Sequence, residues 1–337
     1  MSGAIERAWA RDGLAARALT PLSWLFAAGT GLRNALYDLG VLRSVRLALP
    51  AVSVGNLSVG GTGKTPVAAW VAQELLRLGA RPAIVMRGYG ADEPLVHQRL
   101  NPDVPVIVSP DRVAGAAEAA RCGATVVVLD DAFQHRRARR DLDLVLVAAE
   151  QGSAKRLLPA GPLREGPRAL RRASMLLVTR KTATLAAAEA VAADWTGYSG
   201  APASGVLALV PGALRDARDA SAVPQALDAL QGRRVLAISA IGAPSAFAGQ
   251  LAALGAIVTQ ASFPDHHAFD ARDAAALAER AAGVDVAVCT LKDAVKLGPL
   301  WPRFAPPLWY LSQAVVVERG AAPLLEALQR LIAAARS

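Results

Sequence analysis

The stretch SVGNLSVGGTGKTPVAAW, residues 53–70, places Gly60, Gly61, Thr62 and Gly63 directly before Lys64 and Thr65. Residues of these types at this spacing build a phosphate cradle. Backbone N–H groups at a helix N-terminus face the anion, the lysine reaches the outer phosphates, and the threonine hydroxyl is available to Mg²⁺. The run misses the phosphate-loop pattern at one position, because Ser58 stands where the first glycine is expected. An ordinary glycine turn is the plain alternative, yet a strand-like run before it and a helical run after it favour a nucleotide site.

Phosphoryl chemistry also needs an acidic partner for the metal, and TVVVLDDAFQHRR supplies one where Asp130 and Asp131 end an apolar run. One of the two can hold Mg²⁺ while the other orients it; two carboxylates capping a helix is the lesser alternative, because this loop and this strand end occur in the right order. The chain has four histidines, His97, His135, His266 and His267. The last two sit in FPDHHAFD, where three consecutive residues cannot all face one ion from a regular element, so a metal site is not expected there. A general-base role for one histidine, oriented by a carboxylate, fits better, against a surface or structural role.

These groups must be held by elements. From about Leu47, short apolar runs alternate with alanine-rich helical stretches: ALPAVSVGN, then TPVAAWVAQELLRLG, then RPAIVMRG, and so on to ASMLLVTRK. That rhythm predicts a parallel sheet covered by helices on both faces. The fold class expected is therefore α/β, a phosphate-loop NTPase-like core with a second, smaller α/β domain. Boundaries drawn on the sequence are 1–45 for an N-terminal segment, 46–181 for the core, 182–204 for an alanine-rich linker, 205–320 for the second domain and 321–337 for a terminal helix.

With 337 residues and 53% hydrophobic content, the chain has material for two cores. Cys122 and Cys289 lie far apart, which argues against disulfides or a cysteine metal site and fits a reducing compartment. The net charge of +9 is concentrated: residues 131–181 carry twelve Lys/Arg against five acids, a patch that would attract phosphates of any origin, or else a set of solvated helices. Residues 18–43 are apolar for a span too short to cross a bilayer, and Glu6 and Asp12 do not suit a secretory leader. A helix pair in a membrane interface is expected, with Trp24, Leu25, Phe26, Leu32, Leu36 and Tyr37 as apolar anchors and Arg7, Arg11, Arg17 and Arg33 facing anionic headgroups. A helix packed on the core is the alternative.

Seven short stretches in order, VGNLSVGGTGKTP, RGYG (87–90), DEP (92–94), DDAFQHRR (130–137), LPAGPLRE (158–165), PDHHAF (264–269) and TLKDAVK (290–296), resemble the signature stretches of the tetraacyldisaccharide 4′-kinase family. The resemblance runs from the apolar N-terminus to the terminal helix. It implies transfer of the ATP γ-phosphoryl group to the 4′-hydroxyl of an acylated disaccharide 1-phosphate glycolipid, in lipid A biosynthesis. It further implies ATP and Mg²⁺ as cofactors, a peripheral place on the cytoplasmic face of the bacterial inner membrane, and no nucleic-acid partner. In this family the loop is Gly-Asn, three variable residues, then Gly-Gly-x-Gly-Lys-Thr-Pro, which accounts for Ser58. By motif matching, Lys64 and Thr65 hold phosphates and Mg²⁺, Asp130 and Asp131 form the acid pair, and Gln134 and His135 flank it. Asp92, with Glu93 beside it, matches the catalytic base, and His266 the histidine paired with that base across a domain cleft. Arg164 and Glu165 match a motif near the active site. Departures are the short link between RGYG and Asp92, Ala132 where glycine is common, and Leu291 where an acid is common. The competing reading is a nucleotide-switch ATPase or GTPase of the partitioning or metallochaperone type. Those proteins usually carry a signature lysine where this chain has Val59.

Overall fold

The computed structural model describes residues 9, 17–88, 90, 92–152, 155–199 and 204–333. Glu6, Arg7, Arg11, Asp12 and Tyr89, which the sequence reading used, lie outside the described residues.

In chain order the elements are α1 (Thr20–Asp38), β1 (Val45–Arg46), β2 (Ala51–Asn56), α2 (Lys64–Arg77), β3 (Pro82–Met86), α3 (Asp92–Leu100), β4 (Val106–Val108), α4 (Arg112–Arg121), β5 (Val126–Asp130), β6 (Ala138–Arg139) and β7 (Leu142–Ala148). There follow β8 (Met175–Arg180), α5 (Leu185–Ser199), β9 (Ser204–Asp216), β10 (Arg234–Ser239), α6 (Pro244–Ala253), β11 (Ile257–Ser262), α7 (Ala271–Ala281), β12 (Val286–Thr290), α8 (Leu291–Leu297), β13 (Leu308–Arg319) and α9 (Ala321–Ala333).

The chain forms two compact units. The first, the phosphate-loop unit, contains the described residues up to 90, then 100–209 and 315–333; the second contains 92–99 and Val210–Ala314. This division differs from the sequence-drawn boundaries in three places. Most of α3 joins the second unit although its neighbours in sequence do not. The stretch expected to be a linker is mainly the helix α5, because alanine is the strongest helix former and Trp195 is there to be buried. The terminal helix α9 is no separate piece, since Leu324, Leu328, Leu331 and Ile332 share one core with Val52, Val54 and Val71.

In the phosphate-loop unit the strands run β9-β8-β7-β2-β5-β3-β4, and each neighbouring pair in that order is parallel. β2, β3 and β5 are buried at every residue, as continuous apolar strands covered on both faces must be. On α2, Val67, Ala68, Val71, Ala72 and Leu75 recur at helical spacing and are all buried. The register Val54↔Asp130 makes β2 and β5 end side by side. Two loops about 70 residues apart in sequence therefore leave the sheet together at the carboxyl ends of adjacent strands, which is where open α/β sheets bind ligands.

In the second unit β11, β10, β12 and β13 lie in that order and pair in parallel. Its core gathers Leu236, Ile238, Phe269, Leu277, Cys289, Trp301 and Tyr310. Ile238 pairs in register with Cys289, so the segments that follow β10 and β12 emerge together.

The N-terminal apolar segment differs from the expected helix pair: among the described residues, α1 runs unbroken through Gly29 and Gly31. No described helix is long and apolar enough to cross a membrane.

Candidate functional site

The phosphate loop leaves β2 at Asn56, whose buried side-chain amide donates to Thr62 Oγ1 at 2.8 Å. Thr179 Oγ1 fixes the loop from its other side by donating to the Thr62 carbonyl at 2.9 Å. Gly60 and Gly63 take φ values of 107° and 80°, where a side chain is strained, and a Cβ on Gly63 would lie 2.4 Å from Leu209 Cδ1. Gly63 caps α2 without any side-chain acceptor, and the first turn of α2 carries no acid. An anion placed there would meet N–H groups at the positive end of the helix dipole.

Ser58, the apparent fault in the motif, has a structural task. Its buried hydroxyl donates to Gln151 Oε1 at 2.6 Å, and Gln151 Nε2 donates to the Val59 carbonyl at 3.2 Å. The serine ties the rising limb of the loop to the chain after β7, while the glycines that form the cradle come later.

Asp130 ends β5 buried, and its carbonyl accepts from Arg112 Nη2 at 3.3 Å. Asp131 takes φ 50°, its N–H bonds the Val54 carbonyl at 3.0 Å, and its carboxylate meets three donor contacts. Arg164 Nη1 reaches Oδ1 and Oδ2 at 2.9 and 3.0 Å, and Lys64 Nζ lies 3.8 Å from Oδ1. The structure thus brings Lys64, Asp131 and Arg164 into one cluster; the resemblance had placed Arg164 only near the site. Gln134 donates to the Asn56 carbonyl at 2.8 Å, so the acid loop and the phosphate loop share a hydrogen bond. Burial, and next the charge of Arg112, hold His135 below its ordinary imidazole value. Glu165 is buried and bonded by Arg172 at 2.6 Å and by Asn34 at 3.1 Å.

Thr65 follows Lys64 in the first turn of α2. Among the described residues no cluster of three or more His, Cys, Asp or Glu could hold a metal. A hydroxyl and two carboxylates, Thr65, Asp130 and Asp131, nonetheless fit Mg²⁺, a hard ion that keeps several water or phosphate oxygens and needs only one or two protein carboxylates.

In the second unit, Asp92 opens α3 with its carboxylate 8% exposed, and His266 Nδ1 lies 3.8 Å from Asp92 Oδ2. The two belong to one compact unit, so the pair expected to bridge two domains does not do so. Glu93 follows in the same helical turn, half-buried, and His97 is buried further along the helix. His266 has φ 60° and a side chain 55% exposed. Its neighbour His267 is turned inward: Nε2 is 2.8 Å from Asp273 Oδ2, and the ring packs between Phe263 and Phe269. The Asp-His-His run therefore divides its labour, with one histidine structural and one presented.

The polar side of α1 docks on these same loops. Ser23 Oγ donates to the Leu157 carbonyl at 3.0 Å and accepts from Ala160 N, Asn34 donates to Glu165, and Arg136 bonds both the Asn34 carbonyl and Asp38. Arg33, expected to face headgroups, instead donates to the Gln134 carbonyl at 2.9 Å and stacks over Tyr37. Trp24, Leu25 and Leu32 remain 69%, 71% and 63% exposed, whereas Phe26, Leu36 and Tyr37 are half-buried. The basic segment is also less available than its charge suggests. Among the described residues, Arg136, Arg137, Arg140, Lys155, Arg164, Arg172 and Arg180 of this segment, at least seven of its cations, sit in ion pairs.

Sequence reasoning missed Arg112, Asn34 and Gln151. Arg112 is nearly fully buried, and a buried arginine has no local signature. The other two act through contacts across more than 90 residues of chain.

The chain is similar to known proteins along most of its length. The family model described as Tetraacyldisaccharide-1-P 4′-kinase matches residues 15–333. A tetraacyldisaccharide 4′-kinase of Anaeromyxobacter dehalogenans is 42% identical over 89% of this chain and 87% of its own length. One from Syntrophus aciditrophicus is 37% identical, covering 87% of each. The crystal structure of LpxK from Aquifex aeolicus in complex with ATP superposes with a TM-score of 0.76 at 30% identity, covering 95% of this chain and all of that one.

Proposed function

The chain belongs to the tetraacyldisaccharide-1-P 4′-kinase family, and from that membership we propose that it is an ATP-dependent kinase of lipid A biosynthesis with the following division of roles. The phosphates of ATP lie against Gly60, Gly61, Thr62, Gly63 and the N-terminus of α2, with Lys64 on the outer phosphates. The 4′-hydroxyl oxygen of the disaccharide 1-phosphate bonds to the γ-phosphorus, the bond from that phosphorus to the β–γ bridging oxygen breaks, and ADP leaves. Asp92 accepts the hydroxyl proton, and His266, 3.8 Å away, orients its carboxylate. A sugar hydroxyl is a weak nucleophile, so a placed base and a cationic cradle are the two forms of help a loose phosphoryl transition state can use. Mg²⁺ would neutralise charge on the β- and γ-phosphate oxygens, held through Thr65, Asp130 and Asp131. Lys64 and Arg164 hold Asp131, with Gln134, His135 and Glu165 shaping the surrounding loops.

The acceptor carries acyl chains, which calls for a membrane surface, and the exposed Trp24, Leu25 and Leu32 on α1 are suited to sit in one. We place the protein peripherally on the cytoplasmic face of the inner membrane on that ground. The observation carrying the proposal is the uncapped N-terminus of α2 with Lys64 beside Asp131 and Arg164, in a chain of this family.

The test is transfer from labelled ATP to tetraacyldisaccharide 1-phosphate in detergent. Lys64→Ala should abolish transfer, and Asp92→Ala should lower kcat by roughly 100- to 10,000-fold, the usual worth of a general base. No transfer by the wild-type protein, with ATP hydrolysis stimulated instead by a protein partner, would replace this reading with the nucleotide-switch one.

A further inference from the structure

The stretch TLKDAVK has no part in the chemistry above, and two of its charged side chains, Asp293 and Lys296, converge on the turn that presents His266. α8 begins beside the end of β10 because β10 and β12 are parallel neighbours. Asp293, in the first turn of α8, is 0% exposed. Its Oδ2 accepts from Thr290 Oγ1 at 2.6 Å and from the Ala240 backbone N–H at 3.1 Å. The Ala240 carbonyl in turn accepts the His266 N–H at 3.2 Å. Lys296, one turn further along α8, has Nζ 3.4 Å from Asp293 Oδ1 and donates to the His267 carbonyl at 2.9 Å, with its ammonium 5.3 Å from the Phe269 ring centre.

The backbone on both sides of His266 is therefore anchored to one ion pair, whose carboxylate is buried and whose ammonium is half-buried, through Ala240 on the N–H side and through the His267 carbonyl on the other. That arrangement answers a physical need. A non-glycine residue at φ 60° is disfavoured by roughly 1–2 kcal/mol and persists only where its surroundings over-determine it. A carboxylate as buried as Asp293 likewise demands a cation and hydrogen-bond donors. Satisfying both with the same pair fixes where the exposed imidazole stands relative to Asp92.

We propose that Asp293 and Lys296 are positioning residues for the kinase reaction, acting through His266 by locking its left-handed backbone. The proposal rests on the reading of His266 as the partner of the proton-accepting Asp92. A displacement of about 1 Å at a catalytic group can cost on the order of 100-fold in rate.

The experiment is a double-mutant cycle on the full-length protein, reading kcat and KM for both substrates in the detergent assay. Lys296→Met keeps the apolar stem over Phe269 and removes the charge. It should lower kcat roughly 10- to 100-fold with both KM values unchanged. Lys296→Arg, which keeps a cationic donor, should recover most of that loss. In the His266→Ala background Lys296→Met should have no further effect, because the group it positions is gone. Asp293→Asn, taken through the same cycle, reads the pair from its other member should Lys296→Met fold poorly, and thermal melts of each variant report folding. Equal losses from Lys296→Met with and without His266, or unchanged kcat in the wild-type background, would overturn the positioning role. Unchanged kcat in His266→Ala alone would overturn the Asp92–His266 reading itself, which separates the two failures.

Discussion

Gly55→Ala probes whether the phosphate-loop strand and the acid loop are held as one body. A Cβ on Gly55 would lie 2.5 Å from Phe133 Cβ and 2.9 Å from Phe133 N. Carbon atoms settle near 3.5–4.0 Å, so the first contact is short by about 1 Å or more. Phe133 is fully buried, with Arg172 stacked 4.7 Å from its ring centre, and the colliding atoms are its Cβ and backbone, so no rotamer change relieves them. The loop must move. It carries Asp131 two residues earlier and Gln134 one residue later, and Gln134 spans only 2.8 Å to the Asn56 carbonyl. Overpacking of this size costs about 1–3 kcal/mol. A shift of the same order at Asp131, now 3.8 Å from Lys64, should reduce kcat roughly 10- to 100-fold. Urea denaturation and steady-state kinetics measure the two effects. Gly29→Ala is the control: it lies inside α1 with nothing within 4 Å of its added carbon, and it should gain roughly 0.5–1 kcal/mol from helix propensity alone. Adding Phe133→Ala should not rescue Gly55→Ala, since Cβ and N remain. A Gly55→Ala protein of wild-type stability and full kcat would show that the loops are not rigidly joined.

Three further outcomes are expected. Burial raises the Glu150 pKa, but the backbone N–H groups of Lys181 and Thr182, and more weakly that of Ala183, outweigh it and hold the value below 4.5. Its stabilisation should therefore be complete above pH 4.5 and fade as pH falls through the lower folded value. Glu150 is exposed, so solvent screens the effect: Glu150→Gln should lower stability only slightly at pH 7, with the difference from wild type closing under acid in denaturant melts, and a constant difference would contradict this. His135, held below 6.5 by burial and then by Arg112, takes up its proton at lower pH in the folded chain than in the unfolded one. Stability should thus decline as pH drops beneath 6.5 and level off under the folded value, and His135→Gln should flatten that decline in melts between pH 8 and 5; an unaltered slope would contradict it. Replacing Trp24, Leu25 and Leu32 with serine should release the protein from anionic vesicles and raise KM for the lipid substrate, and undiminished sedimentation with vesicles would remove α1 as the docking face.

What the sequence made legible was whatever is local. Gly60 to Thr65 announce a phosphate cradle because positive φ, an exposed helix start and a lysine must be adjacent in the chain. The acid pair reads equally well, because β5 is apolar up to the residue where the sheet ends. Ser58 was ambiguous since its partner, Gln151, lies 93 residues away. The stretch 182–204 looked like a linker because it is alanine-rich and runs into GYSGAPASG, yet alanine favours helix and residues 185–199 form one. Charge was the least legible property: Arg33 and seven cations of the basic segment looked available, and their carbonyl or carboxylate partners are set by tertiary contacts. The link between Asp92 and His266 came from family resemblance, not from spacing, for they are more than 170 residues apart.

The membership of 92–99 in the second unit has a consequence for how the protein is made. The ribosome delivers Asp92 well before Val210, the residue at which the rest of that unit begins. At 5–20 residues per second, α3 waits roughly 6–24 s for its partners. Throughout that interval the stretch that will carry the proposed proton acceptor has only phosphate-loop sequence being synthesised around it. A fragment beginning at Val210 could never contain it. The second unit is thus an insertion completed late, and premature termination anywhere before His266 leaves Asp92 without its partner.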